Sequence, residues 1–350
     1  MTAYMKKGFE KEADSAIKHL LSEMLEIEAD YLFLPGKSPY SNLPMPMLIS
    51  DGAHLEKMEP LARVMAMNSA KQASLLLGSN SGKTTALVLK PCEKRALFEL
   101  VKLNQCTLEN AIIITADCHG RVENSDYLQC EGEIDNDMIT SSCRTCTQFI
   151  SETSDIHMNI FGCPGNISFS AGTEKGKAAL EKLDYGITDI PDTRAEKIDD
   201  IMTRHRKNMD ALTEDVLSYI NKVDKFQEVI GNCLNCYNCM TICPVCYCKE
   251  CVFKTDIFSH MPETLMNRAD KKGVIKLPTD TTMFHMTRLA HMSHACVGCG
   301  QCTSVCPSNI PVADIFKVVS KNTQDFFDYM PGENIEDNIP YLNYKEKDKI

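Results

Sequence analysis

Apolar and polar positions follow a helical period in some parts of this chain and short apolar runs in others, and the changes of pattern mark its elements. Residues 8–28 place Phe9, Ala13, Ile17, Leu20, Leu21, Met24 and Leu25 at helical spacing, which predicts an amphipathic helix. Short strands are expected at 31–34 and 45–49, then a helical stretch at 60–76. The clearest unit follows: strand 85–90, helix 93–104, strand 111–117. Such a βαβ unit predicts parallel neighbouring strands joined by a right-handed crossover. Mixed material continues to about residue 190, with a strand expected at 156–161 and a helix at 174–183. Residues 194–230 contain no Gly or Pro and repeat Ile198, Ile201, Met202, Met209, Leu212, Val216, Ile220, Val223 and Phe226, a long helical segment that reads as a bridge between two domains. The expected organisation is an α/β (α+β) domain over 1–193, the helical bridge over 194–230, a mainly helical cysteine-rich domain over 231–320 and a polar tail over 321–350. From Pro331 onward the tail is rich in Asp, Glu, Asn and Lys, and reads as a partner-contacting arm or a disordered end rather than a core element.

Composition narrows the class. With 350 residues, 43% hydrophobic and 24% charged, the chain is long enough for two buried cores and too ordinary for a disordered or fibrous protein. A net charge of -11 without any basic run argues against a nucleic-acid partner. No apolar stretch approaches the roughly 18 residues of a membrane span, and the first residues turn acidic where a signal peptide needs an apolar segment. The expected location is the cytoplasm. In that reducing compartment, 18 cysteines point to metal ligation.

Two runs of cysteines repeat one spacing. Cys233, Cys236, Cys239 and Cys243 before Pro244 make C-x2-C-x2-C-x3-C-P, and Cys296, Cys299, Cys302 and Cys306 before Pro307 make it again. This is the bacterial ferredoxin pattern, in which three cysteines of each run hold one cubane and the fourth ligates the other. The assignment is Cys233, Cys236, Cys239 and Cys306 to one [4Fe–4S] cluster, and Cys296, Cys299, Cys302 and Cys243 to a second. Structural zinc sites use two well-separated pairs instead, and disulfides do not suit the compartment. The 52 residues between Cys243 and Cys296 exceed a minimal linker, and Met283, Met286, Leu289, Ala290 and Ser293 recur helically within 282–294. The module therefore resembles the helical two-cluster ferredoxins of succinate dehydrogenase and heterodisulfide reductase subunits. His285, His291 and His294 read as packing or supporting residues, since eight cysteines satisfy two cubanes. Cys246, Cys248 and Cys251 read as cluster shielding, with an additional metal site as the alternative.

A third site follows from the βαβ unit. Cys92 and Cys118 lie just past the carboxyl ends of two strands that should pair about 4.8 Å apart, so both thiols open onto the sheet edge where α/β folds place ligands. Cys143 and Cys146, spaced C-x2-C, complete a set of four, with Cys163 the rival fourth ligand. Cys106 and Cys130 read as structural. The segment from Gly78 to Thr84 looks like a phosphate-binding loop, but three residues separate its glycines where four are needed, and it precedes a strand instead of following one. No G-x-G-x-x-G follows a strand, so a Rossmann dinucleotide site is not indicated.

The runs LKPCEKRALFELVKLNQ at 89–105, ADCHG at 116–120, CRTCTQFISETSDI at 143–156, CYNCMTICPVCYCKEC at 236–251 and AHMSHACVGCGQCTSVCPSNIPVADIF at 290–316 resemble the beta subunits of the coenzyme F-420 hydrogenase/dehydrogenase family. The likeness is greatest to formate dehydrogenase beta subunits and covers about residues 60–320. The resemblance implies FAD beside the cluster held by Cys92, Cys118 and Cys143 with Cys146, and His119 and Gly120 fall in the same motifs. Asn68, Lys90, Arg95, Asn104 and Gly162 are the candidate surroundings of that flavin. The family's early Gly-Gly-x-x-Thr segment is absent, and a helical segment of different character stands there.

The expected function is an FAD-containing iron–sulfur subunit of a soluble oxidoreductase complex. A catalytic dehydrogenase or hydrogenase subunit would supply electrons, three [4Fe–4S] clusters would relay them, and FAD would exchange them with a hydride carrier, coenzyme F-420 or NAD, or with ferredoxin. The alternative is an electron-wiring subunit of a heterodisulfide-reductase-type bifurcating complex with no substrate site of its own. No residue is expected to act as a catalytic acid, base or nucleophile.

Overall fold

The computed structural model describes residues 2–6, 12–78, 82–130, 134–163, 165 and 167–340. Eight strands form one mixed sheet: β1 (Thr2–Met5), β2 (Tyr31–Ser38), β3 (Ser41–Ile49), β4 (Thr85–Val88), β5 (Ala111–Ala116), β6 (Ile156–Asn159), β7 (Ser168–Ala171) and β8 (Gly186–Thr188). Their order is β3-β2-β4-β5-β6-β7-β1-β8. The four central strands β2, β4, β5 and β6 run parallel, with Leu87 opposite Ile113 and Ile114 opposite Ile156, and antiparallel strands finish both edges. Strands buried on both faces favour apolar residues on both, which explains the apolar runs 86–88 in β4 and 111–114 in β5. Ala86, Val88, Ile112 and Ile114 point to one face, under the helices Ala13–Ile27 and Glu174–Lys182; Leu87, Ala111 and Ile113 point to the other, under Ala70–Gly78 and Pro91–Lys102.

The mixed α/β domain joins a mainly helical one. A 29-residue helix, Asp192–Ile220, leads from the sheet to the cysteine-rich region, followed after two residues by Val223–Val229. The two halves share a core: Leu87, Leu89, Ala96 and Leu97 pack in one cluster with Val245, Ala295 and Val297. Helix Val312–Phe327 closes the helical domain. Among the described residues no helix is long and apolar enough to cross a membrane.

Several elements differ from the sequence expectation. The N-terminal helix starts at Ala13, and Phe9 lies outside the described residues. Residues 60–76 are not one helix; 59–69 run irregularly and the helix begins at Ala70. The irregular backbone is satisfied by side chains from elsewhere, Lys90 Nζ donating to Ala62 O at 2.6 Å and Gln301 Nε2 to Met65 O at 2.8 Å, while Asn68 Oδ1 accepts from Ala70 N and starts the helix. The polar C-terminus is a packed strap as far as residue 340. Buried Glu99 takes hydrogen bonds from Tyr329 Oη (2.6 Å) and Gly332 N (2.7 Å), Arg95 Nε donates to Pro331 O (2.8 Å), and Ile339 is buried. Residues 341–350 lie outside the described residues, as do 79–81 in the loop resembling a phosphate-binding one.

Candidate iron–sulfur and flavin site

Helix Pro91–Lys102 carries Cys92 in its first turn, and local chemistry fixes that turn. Pro91 presets the backbone, and Glu93 reaches back to accept from Lys90 N at 2.8 Å. The second Glu93 oxygen accepts from Ser69 N at 3.0 Å and Ser69 Oγ at 2.8 Å, tying Cys92 to the irregular segment. Cys118 follows β5 and donates its N–H to Phe149 O. At Gly120, φ is +81° and a Cβ would stand 3.1 Å from Cys143 Cβ, so glycine lets the Cys143 loop close on Cys118. That loop is gripped from both sides. His205 Nδ1 lies 2.6 Å from Cys146 O, Asn208 donates to Arg144 O, Ser141 donates to Asp314, and half-buried Lys317 donates to Ser142 O and Thr145 Oγ1, both at 2.6 Å.

These contacts bring Cys118 into electrostatic range of Cys92, Cys143 and Cys146, and Cys92 into range of Cys143. Burial pushes the Cys118 thiol up to about 12, with Cys143 and Cys146 adding to the rise. Burial also raises Cys92, followed by Glu93, Cys299, Cys118 and Cys143. Cys163 stands apart, its thiol 3.6 Å from Phe161 O and facing Arg194. Arg194 belongs to a buried network on the carboxyl edge of the sheet. Asp117 accepts from both guanidinium nitrogens of Arg194 and from Ile160 N and Phe161 N, and its Oδ1 lies 2.9 Å from His157 Nε2. Burial alone would raise the Asp117 pKa; the bonds from Arg194 and His157 outweigh it and hold the carboxyl well below the usual range.

Cys233, Cys236, Cys239 and Cys306 line one small cavity together with Tyr237, Phe284 and His285. The thiols of Cys296, Cys299 and Cys302 are raised by burial, and each also feels Cys243. The fourth cysteine of each run thus stands with the first three of the other. Contact between the second and third groups is carried by Cys299 beside Cys92. Among the described residues, no group of three or more His, Cys, Asp or Glu side chains converges tightly enough for a single metal ion. One zinc ion needs thiolates within about 2.3 Å of a common point, whereas a cubane presents an iron to each thiolate and fits a wider ring. The donor chemistry and the ring around the small cavity fit such a cluster.

Cations stand in the gaps, Arg288, Arg121 and Arg95 buried and Lys317 half-buried. Arg288 lies near the first and second groups, Arg121 near Cys299, and Arg95 and Lys317 near both Cys146 and Cys296. The sequence reading missed Arg288, Arg121 and Lys317. The signal for Lys317 is a lone cation inside the apolar stretch 312–319, and for Arg288 its place one turn after His285 on a buried helix face. Cys106 packs in the core, Cys130 caps a short helix, and Cys246 and Cys251 pack around Cys239, Met240 and Phe253, while Cys248 is exposed. His294 is buried and its pKa lowered, first by that burial.

The five flavin candidates are not gathered at one point. Lys90 and Asn68 flank the irregular segment at the carboxyl end of β4, where buried Asn68 Nδ2 has no hydrogen-bond partner among the described residues. That orphaned donor fits a polar ligand. Arg95 instead reaches the C-terminal strap and lines a cleft of about 1670 Å³ that also borders Cys146 and Cys296. Asn104 takes a left-handed turn (φ 57°) just after the helix end, and Gly162 packs against Thr193 and Arg194, where a Cβ would clash.

A mixed sheet whose carboxyl edge meets a helical domain, with thiols collected around both, defines an iron–sulfur electron-transfer protein. Residues 229–310 match the 4Fe-4S dicluster domain. The chain is 26% identical over 307 residues to the F420-dependent formate dehydrogenase subunit beta of Methanocaldococcus jannaschii, covering 74% of this chain and 76% of that one. It is 28% identical over 308 residues to the F420-dependent formate dehydrogenase 1 subunit beta of Methanococcus maripaludis, covering 73% and 74%. A chain of the F420-reducing [NiFe] hydrogenase complex from Methanosarcina barkeri aligns with a TM-score of 0.49 and 14% identity, over 63% of this chain and 93% of that one. The chain is an oxidoreductase subunit and a homologue of the formate dehydrogenase beta subunits in the family its motifs resemble.

Proposed function

We propose that this chain is the FAD-containing iron–sulfur subunit of a multi-subunit oxidoreductase, moving electrons between a catalytic dehydrogenase or hydrogenase subunit and a hydride carrier, coenzyme F-420 or NAD, or ferredoxin. The observation that carries this reading is the succession of three groups of four cysteines, the third within electrostatic reach of the second through Cys92 and Cys299, and the first and second sharing Arg288. In this proposal Cys233, Cys236, Cys239 and Cys306 hold the first [4Fe–4S] cluster, Cys296, Cys299, Cys302 and Cys243 the second, and Cys92, Cys118, Cys143 and Cys146 the third. Formate dehydrogenase subunits among the relatives make formate the first donor to test and a deazaflavin the first acceptor.

Bound FAD would supply the exchange between single electrons and hydride. Asn68, through its unpartnered amide nitrogen, and Lys90 are the residues best placed to hold it on the carboxyl edge of the sheet. Around the thiols the protein excludes water and supplies charge, the levers that set cluster potentials. The deciding experiment is iron and flavin analysis of the anaerobically purified protein, with electron paramagnetic resonance after reduction. About 12 irons, three cubanes of four, and one FAD per chain are expected. About 8 irons without flavin would reject the third site and leave a relay of the electron-wiring kind.

A further inference from the structure

The 52-residue insert between the two cysteine runs returns one helix, Thr281–Met292, to the first run. His285 and Arg288, three apart, project from the same face of it. His285 Nε2 lies 3.3 Å from Cys233 Sγ. Arg288, only 4% exposed, donates from one terminal nitrogen to Cys239 Sγ and from the other to Cys239 O, both at 3.1 Å. Its guanidinium stacks over Phe316 at 4.8 Å and lies 5.7 Å from the Phe284 ring centre, so the fork is held in place by packing. The thiols that act on its charge are Cys239 first, then Cys243, Cys302 and Cys246. Of these, Cys239 belongs to the first group, while Cys243 and Cys302 belong to the second.

We propose that Arg288, with His285 beside it, is a redox-positioning residue: its two-pronged contact with Cys239 raises the reduction potential of the first cluster. This inference rests on the cluster reading above. Reduction adds one electron and one negative charge to a cluster, with no bond broken. A buried cation donating to a ligand sulfur stabilises the more negative state most, because charge-assisted bonds are the strong ones and the low-dielectric surroundings screen them little. The corresponding position in the second run, Cys302, lies within reach of the same cation but has no such hydrogen bond among the described residues.

The test is a potentiometric titration, followed by electron paramagnetic resonance, of the intact chain and its Arg288→Gln, Arg288→Lys and His285→Gln variants, with iron counted in each. With iron retained, Arg288→Gln is expected to lower the midpoint of one cluster signal by at least a tenfold change in its reduction equilibrium, about 59 mV for one electron. Arg288→Lys keeps the charge without the fork and should shift it less; His285→Gln should shift it in the same direction by a smaller amount. Unchanged midpoints at full iron content would overturn the proposal and leave the cluster reading intact. Iron loss in both Arg288 variants would make the residue structural and overturn it as well. A wild-type chain without iron would defeat the cluster reading itself.

Discussion

The two cysteine runs share a spacing and a backbone but not a neighbourhood. In the first, Asn235 and Tyr237 take left-handed conformations (φ 49° and 59°); at the corresponding places in the second stand Gly298 and Gly300 (φ 69° and 79°). Wrapping a cluster asks the same turns of both runs, so the difference in residue type reports what lies outside the wrap. A Cβ on Gly300 would sit 2.6 Å from Ser142 Oγ and 3.1 Å from an Arg121 nitrogen, because the second run is pressed against the α/β domain. Tyr237 has room for a ring, which meets Phe284 edge-on at 4.9 Å, and Cys236 beside it is exposed. The first run faces outward, and the second faces the sheet edge. Strain in non-glycine left-handed residues is tolerated on the open side, whereas on the closed side position 300 has space only for glycine.

The largest effects should come from exchanging the fourth ligands. If ligation is crossed, Cys306→Ser removes or alters the outward cluster and Cys243→Ser the inward one, although each residue lies in the other run. Iron analysis should show losses approaching four per chain, with different signals missing from the two spectra. Loss of the same signal in both variants would break the comparison. Next in size is Asp117→Ala, which leaves buried Arg194 unpaired where the bridge helix meets the sheet. A cost of about 3–5 kcal/mol is expected in denaturant unfolding. The same pair gives a pH dependence. Because the folded Asp117 pKa lies below its unfolded value of about 3.9, its contribution is present above that pH and is lost as pH falls through the folded value. A variant with unchanged acid stability would contradict this account.

The dicluster domain is legible in the sequence because ligand spacing is local: eleven consecutive residues of each run contain all its cysteines. The centre of the sheet is legible for a similar reason, since β4 and β5 are mostly apolar runs flanking one helix. What escapes is decided at long range. Strands β1, β7 and β8 have only three or four residues and pair across most of the α/β domain, Thr2 with Ala171 and Ala3 with Thr188. The periodic stretch at 60–76 looks helical until Lys90 and Gln301 take its carbonyls. The polar C-terminus reads as loose until Glu99, buried inside the helix that carries Cys92, claims Tyr329 and Gly332. Arg288 is marked locally only by its place one turn after His285; its meaning comes from Cys239, 49 residues away.

Two smaller substitutions sharpen the contrast between the runs. Gly300→Ala places a methyl group against Ser142 and Arg121, and should destabilise by roughly 1–3 kcal/mol through overpacking and left-handed strain. Asn235→Gly should show little change in the same thermal melt. Glycine relieves the left-handed strain at φ 49°, but the substitution removes the Asn235 Nδ2 bond to Asp280 Oδ1 at 2.9 Å, and each contribution is on the order of 1 kcal/mol. If Gly300→Ala were as mild as Asn235→Gly, the inward run would not be held by close packing against the sheet domain. The difference between the runs would then lie in the buried charges alone, with Arg288 on one side and Arg121 and Lys317 on the other.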